Sequence, residues 1–248
     1  MPDIGNLSGL SQFWVYLSAS PLLGLTMTLC AYLAAHRITT FFKGAPLANP
    51  VAISIALVAG GLWLSGMSYQ RYFAGAQFVH FLLGPATVAL ALPLVRQLPR
   101  LRKAGRALAL ALVLGSVTAI VSSVAIALLL GASPQLAATL GPKSATSPIA
   151  MAVSERLGGI PAFTAATVIA TGIFGAITGP WLFDRLRIAS PLARGFALGL
   201  ASHGIGTARA FQVNAEMGAF AGLAMGLNGA LTALVAPWLV PVAIGWLG

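Results

Sequence analysis

An all-α, polytopic membrane fold is predicted by three features of this sequence. Apolar runs of bilayer length recur, basic residues gather between them, and two polar, helix-breaking stretches interrupt the pattern. Mean hydropathy is +0.91 and only 7% of the residues are charged. Nearly uncharged runs occupy 12–35, 47–67, 72–95, 106–131, 161–183 and 217–247. Each can cross a hydrocarbon core about 30 Å thick at about 1.5 Å per residue. A soluble protein of 248 residues buries one or two such helices, not six. A transmembrane barrel is disfavoured, because its strands would be about ten residues of alternating character.

Basic residues set the expected order of crossings. Arg37 and Lys43 mark one connector; Arg96, Arg100, Arg102, Lys103 and Arg106 a second; Arg185, Arg187 and Arg194 a third. Lysine and arginine between spans favour the cytoplasmic side. With 36–43, 96–106 and 184–195 inside, the amino terminus lies outside and 68–71 is an external loop. Run 106–131 exits and run 161–183 returns, so 132–160 starts and finishes outside. A re-entrant hairpin over 134–154 meets that condition. A second, over 196–213, would enter from the cytoplasm before 217–247 runs outward. The expectation is six full transmembrane helices plus two re-entrant or broken segments in a bacterial cytoplasmic membrane. The alternative is that both short segments span, giving eight helices.

The net charge of +10 raises nucleic acid as a ligand, but the basic residues sit where a topology signal belongs. Cys30 is the single cysteine, so neither a disulfide framework nor a thiolate metal site is expected. The first eleven residues show neither a basic leader nor a small-residue cleavage site. Metal-ligand spacing is lacking, and "GIGTAR" has no lysine–serine end and no preceding strand, so it is not a phosphate loop. No enzyme activity and no cofactor are expected.

A 57-residue period runs through the chain. "LGP" stands at 83–85 and 140–142, and "GPWL" at 179–182 is echoed by "APWL" at 236–239. Gly115, Gly172 and Gly229 keep the spacing, as do Ala119, Ala176 and Ala233. If each unit is one crossing plus one hairpin, successive units have opposite orientation, an inverted repeat of the kind transporters use. Two regions are expected: 1–131, a scaffold with a first broken-helix motif near Thr87, and 132–248, which carries the polar motifs.

The first motif is "GPKSATSPIAMAVSERLGG" at 141–159. Pro142 and Pro148 interrupt helical hydrogen bonding, and Lys143, Ser144, Thr146 and Ser147 lie between them. Broken backbone at membrane depth is tolerated only where protein or a water-filled cavity satisfies it. A half-helix beginning there presents free N–H groups and a positive dipole end to an anion. The second motif is "ASHGIGTARAFQ" at 201–212. Gly204 and Gly206 permit a turn or close approach. His203 titrates near neutrality, Thr207 adds a hydroxyl, and Arg209 offers a fork for a carboxylate. Plainer roles stand beside these. Arg209 can snorkel, His203 can be packed and satisfied, Lys143 can anchor at the interface, and Glu155, Arg156 and Glu216 can mark solvent loops. Asn228, in "AMGLNGALTAL", is a further substrate-binding candidate, though it reads foremost as an interhelical hydrogen bond among small residues. Thr87 can bond a carbonyl near Pro85.

These motifs resemble the LrgB/CidB family over essentially the whole chain from Phe13 onward, most densely over 140–240. "LGPKSATSPIAM", "GGIPAFTAATVIATGIFGAITGP" and "SHGIGTARAF…GAFAGLAMGLNGALTALVAPWL" carry the resemblance. The family includes bacterial proteins labelled antiholin-like or murein-hydrolase exporters, and the carboxy-terminal half of the plastidal glycolate/glycerate translocator. Its pattern falls on Gly141, Pro142, Lys143, Ser144, Thr146, Pro148, His203, Gly204, Gly206, Thr207 and Arg209, whereas Ala145 and Ser147 stand where the family varies. The resemblance implies a carrier for small monocarboxylates such as glycolate, glycerate, pyruvate or lactate. It also implies a small LrgA/CidA-type membrane partner. By analogy with moving-domain carriers a homodimer is expected.

The expected mechanism is alternating access. Both broken tips meet near the midplane, Lys143 or Arg209 holds the substrate carboxylate, and Ser144, Thr146 and Thr207 read its hydroxyl or keto group. His203, Glu155 or Glu216 takes a coupling proton, or sodium couples instead. A channel or holin-modulating protein is the rival class, and a regulatory subunit silent without its partner is another.

Overall fold

A computed structural model describes residues 21–43, 45, 48–82, 85, 88–89 and 95–247. The described chain forms two compact units, 1–88 and 89–248, and all its bounded elements are helices.

In the first unit, α1 (Pro21–Phe41) packs against α2 (Pro50–Ser65) and α3 (Tyr69–Phe81). Asn49 starts α2: its Oδ1 accepts from the Val51 and Ala52 N–H groups at 2.9 and 3.1 Å, ahead of Pro50 at a position that needs no donor. Gly66 ends it in the left-handed region at φ 64. Thr28 and Tyr72 share a hydroxyl–hydroxyl bond of 2.8 Å between α1 and α3.

The run at 47–67 yields 16 helical residues, about 24 Å, short of a hydrocarbon core of about 30 Å. For the run at 72–95 the described helix covers Tyr69–Phe81. Four described helices are long and apolar enough to cross a membrane: α1, α4 (Leu98–Leu129), α7 (Pro161–Arg185) and α9 (Ala215–Leu247). Thr87 and most of 83–94 lie outside the described residues. The connectors also shrink, because Arg37 lies within α1 and Arg100, Arg102, Lys103 and Arg106 within the first turns of α4.

The second unit is built on α4 and α9, which run side by side in the same direction. Arg100 pairs with Glu216 at 2.5 Å near their starts, and Ser116 meets Asn228 at 2.6 Å. Further on, Val124, Ala127, Val240 and Ala243 share one apolar cluster. After α4 the chain forms α5 (Pro134–Leu140), turns through 141–146, and continues as α6 (Ser147–Arg156). Thr139 ties this broken segment to α7: its hydroxyl accepts from the Ile160 N–H at 2.9 Å. Thr164 lies within 3.1 Å of the Thr139 carbonyl and 2.7 Å of the Ser154 hydroxyl.

Helix α8 (Pro191–Val213) is broken at Ser202 (φ -126, ψ 15) and His203 (φ 42, ψ -131), and the chain reverses there. Residues 191–201 run parallel to the start of α9, with Gly195 against the Met217 carbonyl and Gly199 against that of Ala221. Residues 204–213 run back: a methyl group on Gly206 would stand 2.5 Å from the Leu198 carbonyl oxygen, and Phe211 covers Gly218. Helix α7 runs antiparallel to 191–201, pairing Gly172 with His203, Gly175 with Ser202 and Gly179 with Leu198.

The 57-residue spacing recurs in the helix boundaries. Ser133 caps α5 through a bond from the Leu136 N–H at 3.3 Å, ahead of Pro134. Ser190 caps α8 through the Ala193 N–H at 3.4 Å, ahead of Pro191. Helical geometry resumes at Ser147 after the first break and at Gly204 after the second. Both pairs of positions are 57 apart.

Candidate functional site

Two breaks in helical backbone converge on one buried amide. Asn228, fourteenth residue of the 33-residue α9 and 1% exposed, accepts the Ser116 hydroxyl on Oδ1 at 2.6 Å. Its Nδ2 donates to the Ser144 carbonyl in the first break at 3.1 Å and to the Leu200 carbonyl, just before the second break, at 3.1 Å. Both donors and the carbonyl of the amide are therefore used. The Leu200 carbonyl belongs to the last turn before a break, where carbonyls lack helical partners.

On the other side the breaks share Val168 of α7. Its side chain packs with Ala145 and Ala150, while its carbonyl accepts from His203 Nε2 at 2.9 Å. The Thr207 hydroxyl donates to the His203 carbonyl at 2.8 Å, closing the first turn after the break. His203 is held at φ 42, a conformation costly for a residue with a Cβ; the bond to Val168 and burial of the ring offset that cost.

The sequence-predicted residues divide into three groups. Ser144, His203, Gly206, Thr207 and Asn228 are buried at the convergence. Lys143 is half-buried beside Ser144, and its ammonium makes no bond or ion pair among the described residues. Thr146 precedes α6 in extended conformation without using its hydroxyl as a cap, so the N–H groups that open α6, Ser147 included, have no side-chain partner there. Gly204 is exposed and a methyl group on it would touch only Met225, at 3.8 Å. Arg209 lies further along 204–213, with Nη1 donating to Gln212 Oε1 at 3.1 Å and Nε buried without a partner among the described residues.

The acidic candidates are not drawn in. Glu216 is occupied by Arg100 at the start of α9, twelve positions before Asn228, and Glu155 is exposed at the far end of α6. Helix geometry explains this, since each lies at the end of its helix remote from the breaks. His203 is the remaining proton-coupling candidate in contact with the converging segments.

Comparison with known proteins decides the family. The LrgB-like family matches residues 28–242. The chain belongs to the LrgB-like family. This LrgB-like chain is 36% identical to the uncharacterized protein YwbG of Bacillus subtilis over 219 residues, 88% of this chain and 97% of that protein. It is 34% identical to an uncharacterized protein of Haemophilus influenzae over 213 residues, 86% and 92% of the two chains. The antiholin-like protein LrgB of Bacillus mycoides is 30% identical over 222 residues, 90% and 96%. No solved structure matches the chain.

Sequence reasoning missed three parts of the candidate site in this LrgB-like chain. Ser116 was legible only as a hydroxyl inside the apolar "LVLGSVTAI". Val168 and Leu200 contribute backbone carbonyls, which no side-chain pattern announces. Ser202, 1% exposed, places its hydroxyl against Gly175 without a hydrogen-bond partner among the described residues.

Proposed function

We propose that this LrgB-like chain is an antiholin-like, multi-pass protein of the bacterial cytoplasmic membrane that sets envelope permeability by carrying small monocarboxylates. The antiholin-like part of this reading draws on the names of the Bacillus relatives, which fit it better than they fit a dedicated carrier. The carrier part draws on one observation: both broken segments meet at Asn228, with half-helices restarting at Ser147 and Gly204.

A restarting helix offers backbone N–H groups and the positive end of its dipole to an anion. Lys143 adds a full charge beside them, and a charge at membrane depth costs several kcal/mol, about 2.5–3.5 on insertion scales, unless function or a partner retains it. Ser144, Thr146 and Ser147 face the hydroxyl or keto group of glycolate, glycerate, pyruvate or lactate. Thr207 has spent its proton on the His203 carbonyl and keeps acceptor capacity only. Arg209 takes the carboxylate as it moves along 204–213. The chain reversal at 202–203 and the 57-residue correspondence support re-entrant hairpins within an inverted repeat, and through it alternating access. His203 carries the coupling proton if protons drive transport. No catalytic role is assigned to any residue.

The second reading is a permeability-regulating subunit or channel that acts with a small LrgA/CidA-type partner, and the relatives' names favour it. Labelled glycolate and pyruvate uptake into liposomes holding only the purified chain, assumed homodimeric, separates the two. Saturable, competed uptake that Lys143→Ala or Arg209→Ala abolishes in well-folded protein supports the carrier. Uptake only with the small partner makes the chain one subunit. Leak of unrelated solutes without competition leaves the channel, and normal uptake by both variants removes the anion site.

A further inference from the structure

A groove of about 410 Å³ runs between α6 and α9, lined by Pro148, Ile149, Ala152, Arg156, Ala233 and Pro237 among others. It follows α6 from the first break to the end of the helix, about 12 Å for the eight steps from Pro148 to Arg156. Its far end lies on the side of the membrane opposite the basic start of α4, which the charge rule makes the outside. Arg156 is its one charged lining residue among the described residues and is exposed. Pro237 has no N–H, so the Ala233 carbonyl loses its helical partner and the wall gains an acceptor.

Ile149, which lines the groove, approaches Gly229: a methyl group there would stand 2.9 Å from Ile149 Cδ1. Gly229 adjoins Asn228, and Ile149 lies two residues from Ser147, so this pair links the groove lining to the residues beside the convergence of the breaks. Ile149 also packs on the Ala145, Ala150 and Val168 cluster.

We infer that the α6–α9 groove is the outer access path to the carboxylate site, with Arg156 gathering the anion at its mouth and Ile149 closing its floor. The inference rests on the carrier reading above. An anion entering a low-dielectric cleft feels one cation strongly, and its arrival rate rises accordingly. The shape of the floor decides when it passes: withdrawing one side chain from a glycine opens the route without breaking a hydrogen bond.

The test combines accessibility and kinetics on the full chain. In a Cys30→Ser background, Ala152→Cys reacts with a membrane-impermeant thiol reagent added outside intact cells, and glycolate or pyruvate slows the reaction. Ser147→Cys reacts from outside only when Ile149→Ala is also present. In liposomes, Arg156→Gln raises KM about fivefold at low salt with kcat unchanged, Arg156→Lys restores it, and added salt narrows the difference. An unchanged KM in Arg156→Gln, labelling of Ala152→Cys only from the cytoplasmic side, or labelling of Ser147→Cys regardless of residue 149 overturns the path while wild-type uptake stands. No competed uptake by the wild-type chain, with or without the small partner, overturns the carboxylate site and the path together.

Discussion

The Asn228 amide donates to the Ser144 carbonyl at 3.1 Å, joining segments 84 positions apart in the chain. Together with the bonds to Leu200 and Ser116, this makes one side chain the junction of α4, α8, α9 and the first break. Asn228→Leu removes all three bonds while keeping the branched outline of the side chain. At about 0.6 kcal/mol per interhelical bond in a membrane protein, the expected loss is about 2 kcal/mol. Thermal unfolding in detergent measures it, and an unshifted transition would remove Asn228 from its role as the junction.

Gly199 faces the Ala221 carbonyl so closely that a methyl group cannot fit, whereas nothing lies within 4 Å of a methyl on Gly226. Gly199→Ala must push α8 from α9, and overpacking of this kind costs about 1–3 kcal/mol. Gly226→Ala gains helix propensity of up to about 1 kcal/mol. Opposite shifts in unfolding temperature are expected. Equal behaviour of the two variants would contradict the backbone-to-backbone contact.

His203 combines a costly φ of 42 with a bond to the Val168 carbonyl. His203→Ala loses the bond and keeps the strain; His203→Gly loses the bond and relieves the strain. The glycine variant should therefore be more stable than the alanine variant by about 1 kcal/mol. Chemical denaturation of both variants measures the difference, and the reverse order would place the reversal elsewhere.

Glu216 and Arg100 form an ion pair at 2.5 Å with side chains 25% and 56% exposed. Exposed pairs contribute about 0–1 kcal/mol, so Glu216→Gln should lower stability by less than 1 kcal/mol. It should also leave the pH dependence of uptake unchanged, since the carboxylate lies apart from the breaks. A shifted pH profile, with stability retained, would return Glu216 to the proton path.

The all-helical architecture, the long apolar helices and the two interruptions were legible in the sequence because each is a local property. Pro142 and Pro148 act on their own turns, and a run such as 217–247 is apolar whatever its neighbours do; the second reversal falls on Ser202 and His203 rather than on the expected Gly204 and Gly206. The 57-residue period was legible for the same reason, and it reappears in the Ser133–Pro134 and Ser190–Pro191 helix starts. Helix length was less legible at 47–67. Uncharged composition extends beyond Ser65, whereas the helix end depends on a cap such as Gly66.

Which polar residues share a site was decided by tertiary structure. Lys143, Ser144, His203 and Asn228 stood out in the sequence as separate polar residues, and so did Glu155 and Glu216. Only the parallel course of α4 and α9, and the reversal at Ser202–His203, bring Ser144 and Leu200 to one amide and leave the two glutamates at remote helix ends. The physical reason is that composition and period specify how a segment meets the bilayer, an interaction each residue has with its surroundings. A hydrogen bond between residues 144 and 228 instead depends on how far each helix is rotated and displaced against the next.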